Sequence, residues 1–262
     1  MEQSIKQENN WAKGKIAFIT GATSGFGAAL TRRIIAAGGK VIATGRREER
    51  LDELVEELGS GQLLTRTLDL TDTDKIEECI KTLPSDFADI DILFNNAGLA
   101  LGLGGADAAN LSDWDTMIDT NVRALVHVTR HVLEIMVKNN RGDIINMGSV
   151  AGTYPYVGGN VYGATKAFVH QFSLNLRADL LGKNIRVTNI EPGMCETEFS
   201  LVRFKGDKSA ADNVYKGMKP LSADDIALTV ESVLKLPAHI NINTLEIMPV
   251  QQAFAGFAVN RD

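Results

Sequence analysis

The chain has 262 residues, of which 44% are hydrophobic and 23% are charged, and it carries a formal net charge of −6. This composition is typical of a folded globular protein and excludes a disordered or fibrous one. The acidic balance and the lack of a basic block argue against nucleic acid as a partner. No apolar run approaches the roughly 18 residues of a membrane span, so we expect no membrane partner either.

The start of the chain and its cysteines indicate where the protein works. Residues 1–14 form a polar N-terminal extension, and its acidic side chains are unlike those of a signal or transit peptide. Cys79 and Cys195 lack disulfide or metal-ligand spacing, which is typical of reduced thiols. We therefore expect a cytoplasmic protein.

Short apolar runs alternate with longer segments of helical period along the whole chain. The patterns predict strands at 15–20, 40–44, 63–68, 91–95, 143–147, 185–190 and 244–248. They predict helices at 25–37, 47–58, 72–83, 112–139, 160–181 and 222–235. Strands joined by helix-length crossovers form a parallel sheet covered on both faces. We predict a single α/β domain over 1–262, a doubly wound parallel seven-stranded sheet of the Rossmann type.

The turn after the first strand reads "TGATSGFG" and predicts a dinucleotide phosphate loop. Glycines at 21, 25 and 27 permit a tight turn, close approach to a pyrophosphate and close packing of helix against strand. The start of the helix then supplies N–H groups for the anion. The pattern alone also fits an ordinary strand-to-helix turn. The predicted cofactor-binding residues of this turn are Gly21, Thr23, Ser24, Gly25, Phe26 and Gly27.

Two arginines follow the second strand, where a protein specific for NAD usually has an acidic residue. Arg46 and Arg47 suit a 2′-phosphate, which favours NADP(H) as the cofactor. The alternative is a solvated helix start. Asp69 and Leu70, just past the third strand, are candidates for the adenine pocket, although Asp69 could equally be a loop acid or a helix cap.

The stretch "YGATK" places Tyr162 and Lys166 four residues apart, on one face of the predicted helix. A positive charge about 5 Å from a phenol would lower its pKa by about two units at an effective dielectric of 20. The pair would then titrate near neutral pH. The spacing alone, however, is common on solvated helix faces.

Six motifs together connect the chain with a known family. They are "TGATSGFG", "NNAG" (95–98), Asn121 in "DTNVRAL", Ser149 in "NMGSVAG", "YGATK" and "EPG" (191–193). In these motifs and their order the chain resembles the short-chain dehydrogenase/reductases, over nearly the whole predicted domain.

The resemblance implies roles for individual residues. Tyr162 matches the general acid that protonates a carbonyl oxygen during hydride transfer, and Lys166 matches the residue that binds the nicotinamide ribose and favours tyrosinate. Ser149 matches the hydroxyl that binds the substrate oxygen, and Asn121 the residue that helps to hold a water next to the lysine. Further cofactor-binding positions implied are Asn95, Ala97, Gly98, Pro192, Gly193 and Thr197.

Within the family the chain is most similar to NADP-dependent 3-hydroxy acid dehydrogenases and to sulfoacetaldehyde reductases. The stretches that carry this are "ATGRREERL", "NNAGLALG", "YPYVGGNVYGATKAFVHQFSLNLR", "TEFSLVRFKGD" and "LPAHININ...MPV". Both classes act on short anions, which need a fixed cation, and Arg203 is our candidate. Tyr154 and Tyr156 could line the same pocket, but they would also be ordinary packing residues.

Three functions follow as hypotheses. The first is an NADP-dependent oxidoreductase for a small anionic substrate, a 3-hydroxy acid or semialdehyde such as 3-hydroxypropionate, serine or allo-threonine. The second is an NADPH-dependent sulfoacetaldehyde reductase that forms hydroxyethanesulfonate. The third belongs to another class, a non-catalytic NADP-sensing regulator, which would have no use for the four predicted catalytic residues.

Two further features concern assembly and metals. The tail 249–262 carries Phe254 and Phe257, which could dock on a partner subunit or pack on their own domain. Relatives of this kind are typically tetramers, so we expect a homotetramer. His127 and His131 share a helix face, but no third ligand is evident, and we predict no metal site.

Overall fold

The computed structural model describes residues 10–254. In this range the strands are β1 (Ile16–Ile19), β2 (Lys40–Gly45), β3 (Leu63–Thr67), β4 (Ile92–Asn95), β5 (Gly142–Met147), β6 (Ile185–Pro192) and β7 (Thr244–Ile247). The α-helices are α1 (Gly25–Ala36), α2 (Glu48–Leu58), α3 (Thr73–Lys81), α4 (Leu111–Ile118), α5 (Leu125–Asn139), α6 (Asn160–Asp179), α7 (Glu198–Arg203), α8 (Lys208–Asn213) and α9 (Ala223–Leu234).

The strands form one seven-stranded sheet in the order β3-β2-β1-β4-β5-β6-β7, and every neighbouring pair is parallel. This confirms the predicted doubly wound Rossmann-type fold. The order in which strands are added to the sheet reverses between β1 and β4: β2 and β3 lie on one side of β1, and the later strands lie on the other. Such a reversal opens a crevice at the carboxyl ends of the strands, where ligands bind.

Successive residues of β1 face opposite layers of the protein. Phe18 packs with Val128 of α5, and Ile19 packs with Ile34 of α1 and Val230 of α9. These side chains are fully buried. Burial of one such side chain stabilises the fold by about 1.5–3 kcal/mol, so the central strands fix the sheet and thereby the crevice at its edge.

The structure corrects the predicted elements in two places. The predicted helix 112–139 is divided by a π-helical turn, Asp119–Ala124, between α4 and α5. The stretch after β6, for which the pattern predicted no helix, forms α7 and α8, each six residues long. Helices this short show too few apolar repeats to be recognised from periodicity, and tertiary contacts and caps stabilise them. Thr197 and Asp207 supply those caps.

Candidate active site

A cavity of about 670 Å³ lies at the crevice and collects most of the predicted site residues. Three do not line it, namely Gly27, Asn95 and Asn121. Those that line it are Gly21, Thr23, Ser24, Gly25, Phe26, Arg46, Arg47, Asp69, Leu70, Ala97, Gly98, Ser149, Tyr154, Tyr156, Tyr162, Lys166, Pro192, Gly193, Thr197 and Arg203. The fold therefore brings together residues that are up to about 180 positions apart in the sequence.

The glycine-rich turn has the backbone that its sequence predicts. Gly21 has φ +66° and Gly25 has φ +52°, a region that other residues rarely adopt. A Cβ on Gly27 would collide with the carbonyl oxygen of Gly21 and would lie 2.7 Å from Asn96 Nδ2. The side chain of Ser24 makes no capping hydrogen bond, which leaves the first amides of α1 available to an anion.

Two neighbouring asparagines at the carboxyl end of β4 have different roles. Asn96, which the sequence analysis did not single out, donates from Nδ2 to the carbonyl oxygens of Thr20 (2.9 Å) and Gly21 (3.0 Å) and so holds the glycine turn. Asn95 lies behind the cavity wall and donates to Thr129 and Asn146, both at 2.8 Å. Asn95 thus braces β4 against β5 and does not face the cavity. The "NNAG" motif contains Asn96, but the sequence could not show which of its two asparagines holds the glycine turn and which braces the strands.

The structure separates the two predicted phosphate-binding arginines. Arg46 is exposed at the rim of the cavity, and its side chain forms no hydrogen bond or ion pair within residues 10–254. Arg47 contacts Glu198 Oε2 from Nη1 (2.8 Å) and Thr23 Oγ1 from Nη2 (3.1 Å). Arg46 is therefore the arginine whose guanidinium is available to a phosphate.

Asp69 lines the cavity beside Arg46. Hydrogen bonds from Thr71, with help from the charge of Arg46, hold the pKa of the Asp69 carboxyl below its usual value. Asp69 Oδ1 accepts from the backbone N–H of Thr71 (3.0 Å) and from its hydroxyl (2.9 Å). Its carboxylate thus also serves the local turn, which was the alternative left open by the sequence.

Tyr162 and Lys166 lie on α6 and are both buried. The ammonium nitrogen of Lys166 is 5.8 Å from the centre of the Tyr162 ring and donates to the carbonyl oxygen of Met147 at 2.8 Å. Ser149 follows β5, and its Oγ accepts from the N–H of Ala151 at 3.1 Å. The three predicted catalytic side chains therefore meet on one wall of the cavity.

The expected acidification of the phenol is corrected by the structure. Burial raises the pKa of Tyr162 above its ordinary value near 10, and hydrogen bonding to Ser149 and the charge of Arg203 offset only part of this. Burial also lowers the pKa of Lys166 to about 8. Desolvation dominates because both side chains are removed from water, which disfavours the charged form of each. At neutral pH Tyr162 is a protonated phenol, ready to act as a proton donor.

Asn121 lies in the π-helical turn between α4 and α5. Its Oδ1 accepts from the N–H of Leu99 (2.9 Å), and its Nδ2 donates to the carbonyl oxygen of Leu99 (2.8 Å) and to Thr165 Oγ1 (3.1 Å). The Asn121 side chain thus joins the segment after β4 to α6. It also lies near Lys166, because Asn121 Oδ1 and Lys166 Nζ would be 3.2 Å and 3.4 Å, respectively, from the same point, a Cβ built on Gly98. The wider turn is a common feature of functional sites in helices.

Arg203 lies next to the predicted proton donor. Its guanidinium carbon is 5.7 Å from the centre of the Tyr162 ring and 5.3 Å from that of Tyr156. Its Nη2 donates to the hydroxyl of Tyr156 at 2.7 Å, and its Nε donates to the carbonyl oxygen of Gly102 at 3.4 Å. A positive charge is thereby fixed beside the phenol, and the binding of a substrate anion by Arg203 stays a prediction. Phe199, which the sequence analysis missed, has its ring 5.6 Å from that of Tyr162.

The described part of the tail lies on its own chain. Gln252 Oε1 accepts from the N–H of Met194 at 2.7 Å, and Phe254 has its ring 4.7 Å from that of Tyr154. Tyr154 also donates from its hydroxyl to Glu246 Oε1 at 3.3 Å. Packing on its own domain, one of the two expectations, thus applies to Phe254. Phe257 lies outside the described residues, and docking of the tail on a partner stays a prediction.

Within residues 10–254 no group of three or more His, Cys, Asp or Glu side chains, His127 and His131 included, could hold a metal ion. Cys79 and Cys195 are both free thiols. None of the helices in the same range is long and apolar enough to cross a bilayer.

Comparisons with known proteins agree with this geometry. The sequence model of the family described as short chain dehydrogenase matches residues 15–207. The chain is 57% identical over 244 residues to a serine 3-dehydrogenase of Agrobacterium fabrum (strain C58 / ATCC 33970), covering 93% of this chain and 97% of that protein. It is also 57% identical over 247 residues to the NADP-dependent 3-hydroxy acid dehydrogenase YdfG of Escherichia coli (strain K12), covering 94% and 99% respectively.

Solved structures give the same result. The closed form of a serine dehydrogenase complexed with NADP+ is 57% identical, has a TM-score of 0.93, and covers 94% of this chain and 100% of that one. The serine dehydrogenase from Escherichia coli is 53% identical, has a TM-score of 0.80, and covers 91% and 100%. The family match spans more than half of the chain, and the relatives span nearly all of it. The chain therefore belongs to the short-chain dehydrogenase family.

Proposed function

We propose that this oxidoreductase uses NADP(H) to interconvert a small 3-hydroxy acid and its carbonyl form, with serine, 3-hydroxypropionate and allo-threonine as the leading substrates. The observation that carries the proposal is the position of Arg203, whose guanidinium lies 5.7 Å from the ring of Tyr162 in the same cavity as the glycine turn. The names of the relatives, a serine 3-dehydrogenase and an NADP-dependent 3-hydroxy acid dehydrogenase, support this substrate class.

The residues of the cavity fit NADP(H). The first amides of α1, which the Ser24 side chain does not cap, suit a pyrophosphate, and the exposed Arg46 suits the 2′-phosphate. When bound, NADPH supplies the hydride for carbonyl reduction. The residues assigned to the rest of the dinucleotide are Asp69 and Leu70 at the adenine, Lys166 at the nicotinamide ribose, and Ala97, Gly98, Pro192, Gly193 and Thr197 around the nicotinamide.

The chain contributes a proton to the reaction and two points of attachment for the substrate. Arg203 binds the carboxylate of the substrate, and Ser149 donates a hydrogen bond to the carbonyl oxygen, where negative charge develops. Tyr162, protonated because it is buried, transfers its proton to that oxygen as the hydride reaches the carbon, and the carbonyl becomes a hydroxyl. In the oxidative direction the phenolate must accept the proton instead.

The two alternatives are weaker. The relatives described above do not support a sulfoacetaldehyde reductase, although a sulfonate could also bind Arg203. A non-catalytic NADP-sensing regulator would not need the phenol, ammonium and hydroxyl that converge on one wall of the cavity. Their burial carries a desolvation penalty that a purely binding function does not explain.

Domain organisation, assembly and location are part of the proposal. We infer one domain over 1–262, because all seven strands in the described range join one sheet. A homotetramer is supported by exposed apolar side chains on helices, such as Leu111 and Phe168, which a partner could cover. The free thiols favour a reducing, cytoplasmic location.

One panel of assays tests the function. NADP(H) turnover is measured with 3-hydroxypropionate, serine, the threonine stereoisomers and hydroxyethanesulfonate, and NADPH binding is followed separately by fluorescence. We expect turnover with at least one hydroxy acid and much less with the sulfonate. Tight NADPH binding without turnover of any member would favour the regulator instead, and selective turnover of hydroxyethanesulfonate would favour the sulfonate reductase.

A further inference from the structure

The part of the chain from Thr197 to Gly206, here called the roof segment, covers the cavity from the cofactor side to the substrate side. It contains α7 with Glu198 at one end and Arg203 at the other. At its start, the Thr197 methyl group lies 3.6 Å from the position of a Cβ on Gly25, so the segment begins directly over the glycine turn. At its end, the N–H of Gly102 donates to the carbonyl oxygen of Arg203 at 3.1 Å.

A single guanidinium connects the start of the roof segment with the glycine turn below it. Arg47 forms an ion pair from Nη1 to Glu198 Oε2 at 2.8 Å, and its Nη2 donates to Thr23 Oγ1 at 3.1 Å. All three residues line the cavity. Arg47 is therefore bound to the turn on one side and to the roof segment on the other.

The negative charge of Glu198 is unexpected on the wall of a cavity that is proposed to bind an anion. A carboxylate on the wall of a cavity that binds a multiply charged anion is repulsive unless a cation neutralises it. Arg47 provides that cation, whereas the neighbouring Arg46 stays available at the rim. The pair Arg47–Glu198 thus contributes little net charge to the cavity, and its effect on a bound anion is mainly geometric.

We propose that the Arg47–Glu198 ion pair is a clasp that holds the roof segment over the bound dinucleotide and slows its release. Glu198 is a positioning residue, and Arg47 is its partner in the clasp. Arg46 binds the 2′-phosphate. The inference rests on the proposed use of NADP(H). The side chains of Arg47 and Glu198 are 39% and 42% exposed, so the clasp is weak enough to open in each turnover.

The clasp is tested by the rate of NADPH release. Enzyme loaded with NADPH is mixed with excess NADP+ in a stopped-flow instrument, and the loss of NADPH fluorescence gives the dissociation rate constant. We expect Glu198→Gln to raise this constant about three- to five-fold, the effect of losing one exposed ion pair. NADH, measured in the same way, is released faster by a similar factor, because the clasp does not contact the 2′-phosphate.

A matched control and a double-mutant cycle make the test specific. Glu57→Gln breaks the ion pair with Arg32, which has similar exposure (46% on both sides) but joins α1 to α2 and does not line the cavity. It leaves the release rate unchanged. Arg47→Met/Glu198→Gln releases NADPH at about the rate of Glu198→Gln, since one interaction can be lost only once. Arg47→Met alone releases it faster still, because the Glu198 carboxylate is left without a cation.

Two results would overturn the clasp. Release that is unchanged or slower in Glu198→Gln would mean that the carboxylate does not hold the cofactor. A loss of affinity in Arg47→Met that is much larger for NADPH than for NADH would assign Arg47 to the 2′-phosphate. Both results would leave the proposed function intact, whereas wild-type protein that binds no NADPH at all would overturn the function and the clasp together.

Discussion

The two halves of the cavity are built in different ways. The cofactor half consists mainly of backbone from short stretches of chain, above all the turn 20–27, whose shape its glycines dictate. The substrate half consists of side chains that come from separate parts of the chain, namely Tyr156, Phe199, Arg203 and Phe254. A backbone site can be recognised from local sequence, but a side-chain site depends on how distant elements pack. Tyr162, the proposed proton donor, lines the cavity together with both groups of residues. Replacing it should therefore affect the chemical step without affecting cofactor binding.

The largest expected effect is that of Tyr162→Phe. Loss of the general acid should lower kcat for carbonyl reduction by about 10²–10⁴-fold. NADPH binding, followed by fluorescence, should change little, because the ring and its packing against Phe199 remain. Retention of more than a tenth of the wild-type kcat would contradict the role assigned to the phenol.

The cofactor half is tested by Gly27→Ala. The added methyl group would collide with the backbone of Gly21, so the turn must shift, and we expect about 100-fold weaker NADPH binding together with a lower Tm. Gly61→Ala is the matched control, because nothing lies within 4 Å of its Cβ position. Equal NADPH affinity and equal Tm of the two variants would show that the close backbone packing at Gly27 does not determine the shape of the cofactor-binding turn.

The substrate half is tested by Arg203→Ala. Removal of a charge-assisted contact should raise KM for a 3-hydroxy acid by roughly 10–100-fold. A neutral aldehyde of similar size serves as the internal control, and its KM should change less than about three-fold. A parallel rise for both substrates would show that Arg203 supports the fold of the cavity, through Tyr156 and Gly102, without binding the anion.

A smaller effect is expected for Arg46→Ser. The guanidinium lies at the solvent-exposed rim, so its loss should weaken NADPH binding by about ten-fold and leave NADH binding almost unchanged. The preference is read from dissociation constants for the two nucleotides at low and at moderate salt. Equal losses for NADPH and NADH would remove the 2′-phosphate role from Arg46.

The smallest effect concerns pH. Lys166, with a pKa lowered to about 8, is charged below that pH and becomes neutral above it, whereas Tyr162 keeps its proton because its pKa is raised. For reduction, kcat/KM should therefore fall by about four-fold between pH 7 and pH 8.5. In Lys166→Arg the cation persists, and the descending limb should move to higher pH even if the overall rate is lower. An unmoved limb would assign the titration to another group.

Much of the fold and of the candidate site could be predicted from the sequence, because the relevant information is local. The alternation of apolar runs predicted every strand of the sheet, since a strand buried on both faces needs apolar residues throughout. The glycines, Ser149 and the Tyr162–Lys166 pair were identified from spacing and from the resemblance to a family. Arg203, selected on the chemical ground that a short anion needs a cation, also lines the cavity, and its role in binding the anion stays a prediction.

Sequence alone determined the parallel sheet and the glycine turn, because these follow from periodicity and residue chemistry, and the resemblance to a family added the residues proposed to transfer a proton and bind an anion. Only the tertiary structure decided that Arg47 pairs with Glu198 while Arg46 stays available, that α7 and α8 form after β6 with α7 lining the cavity, and that the pKa of Tyr162 is raised. The physical reason is common to all three. Ion pairing, the stability of short helices and desolvation depend on what distant parts of the chain place around a residue, and a linear sequence does not contain those distances.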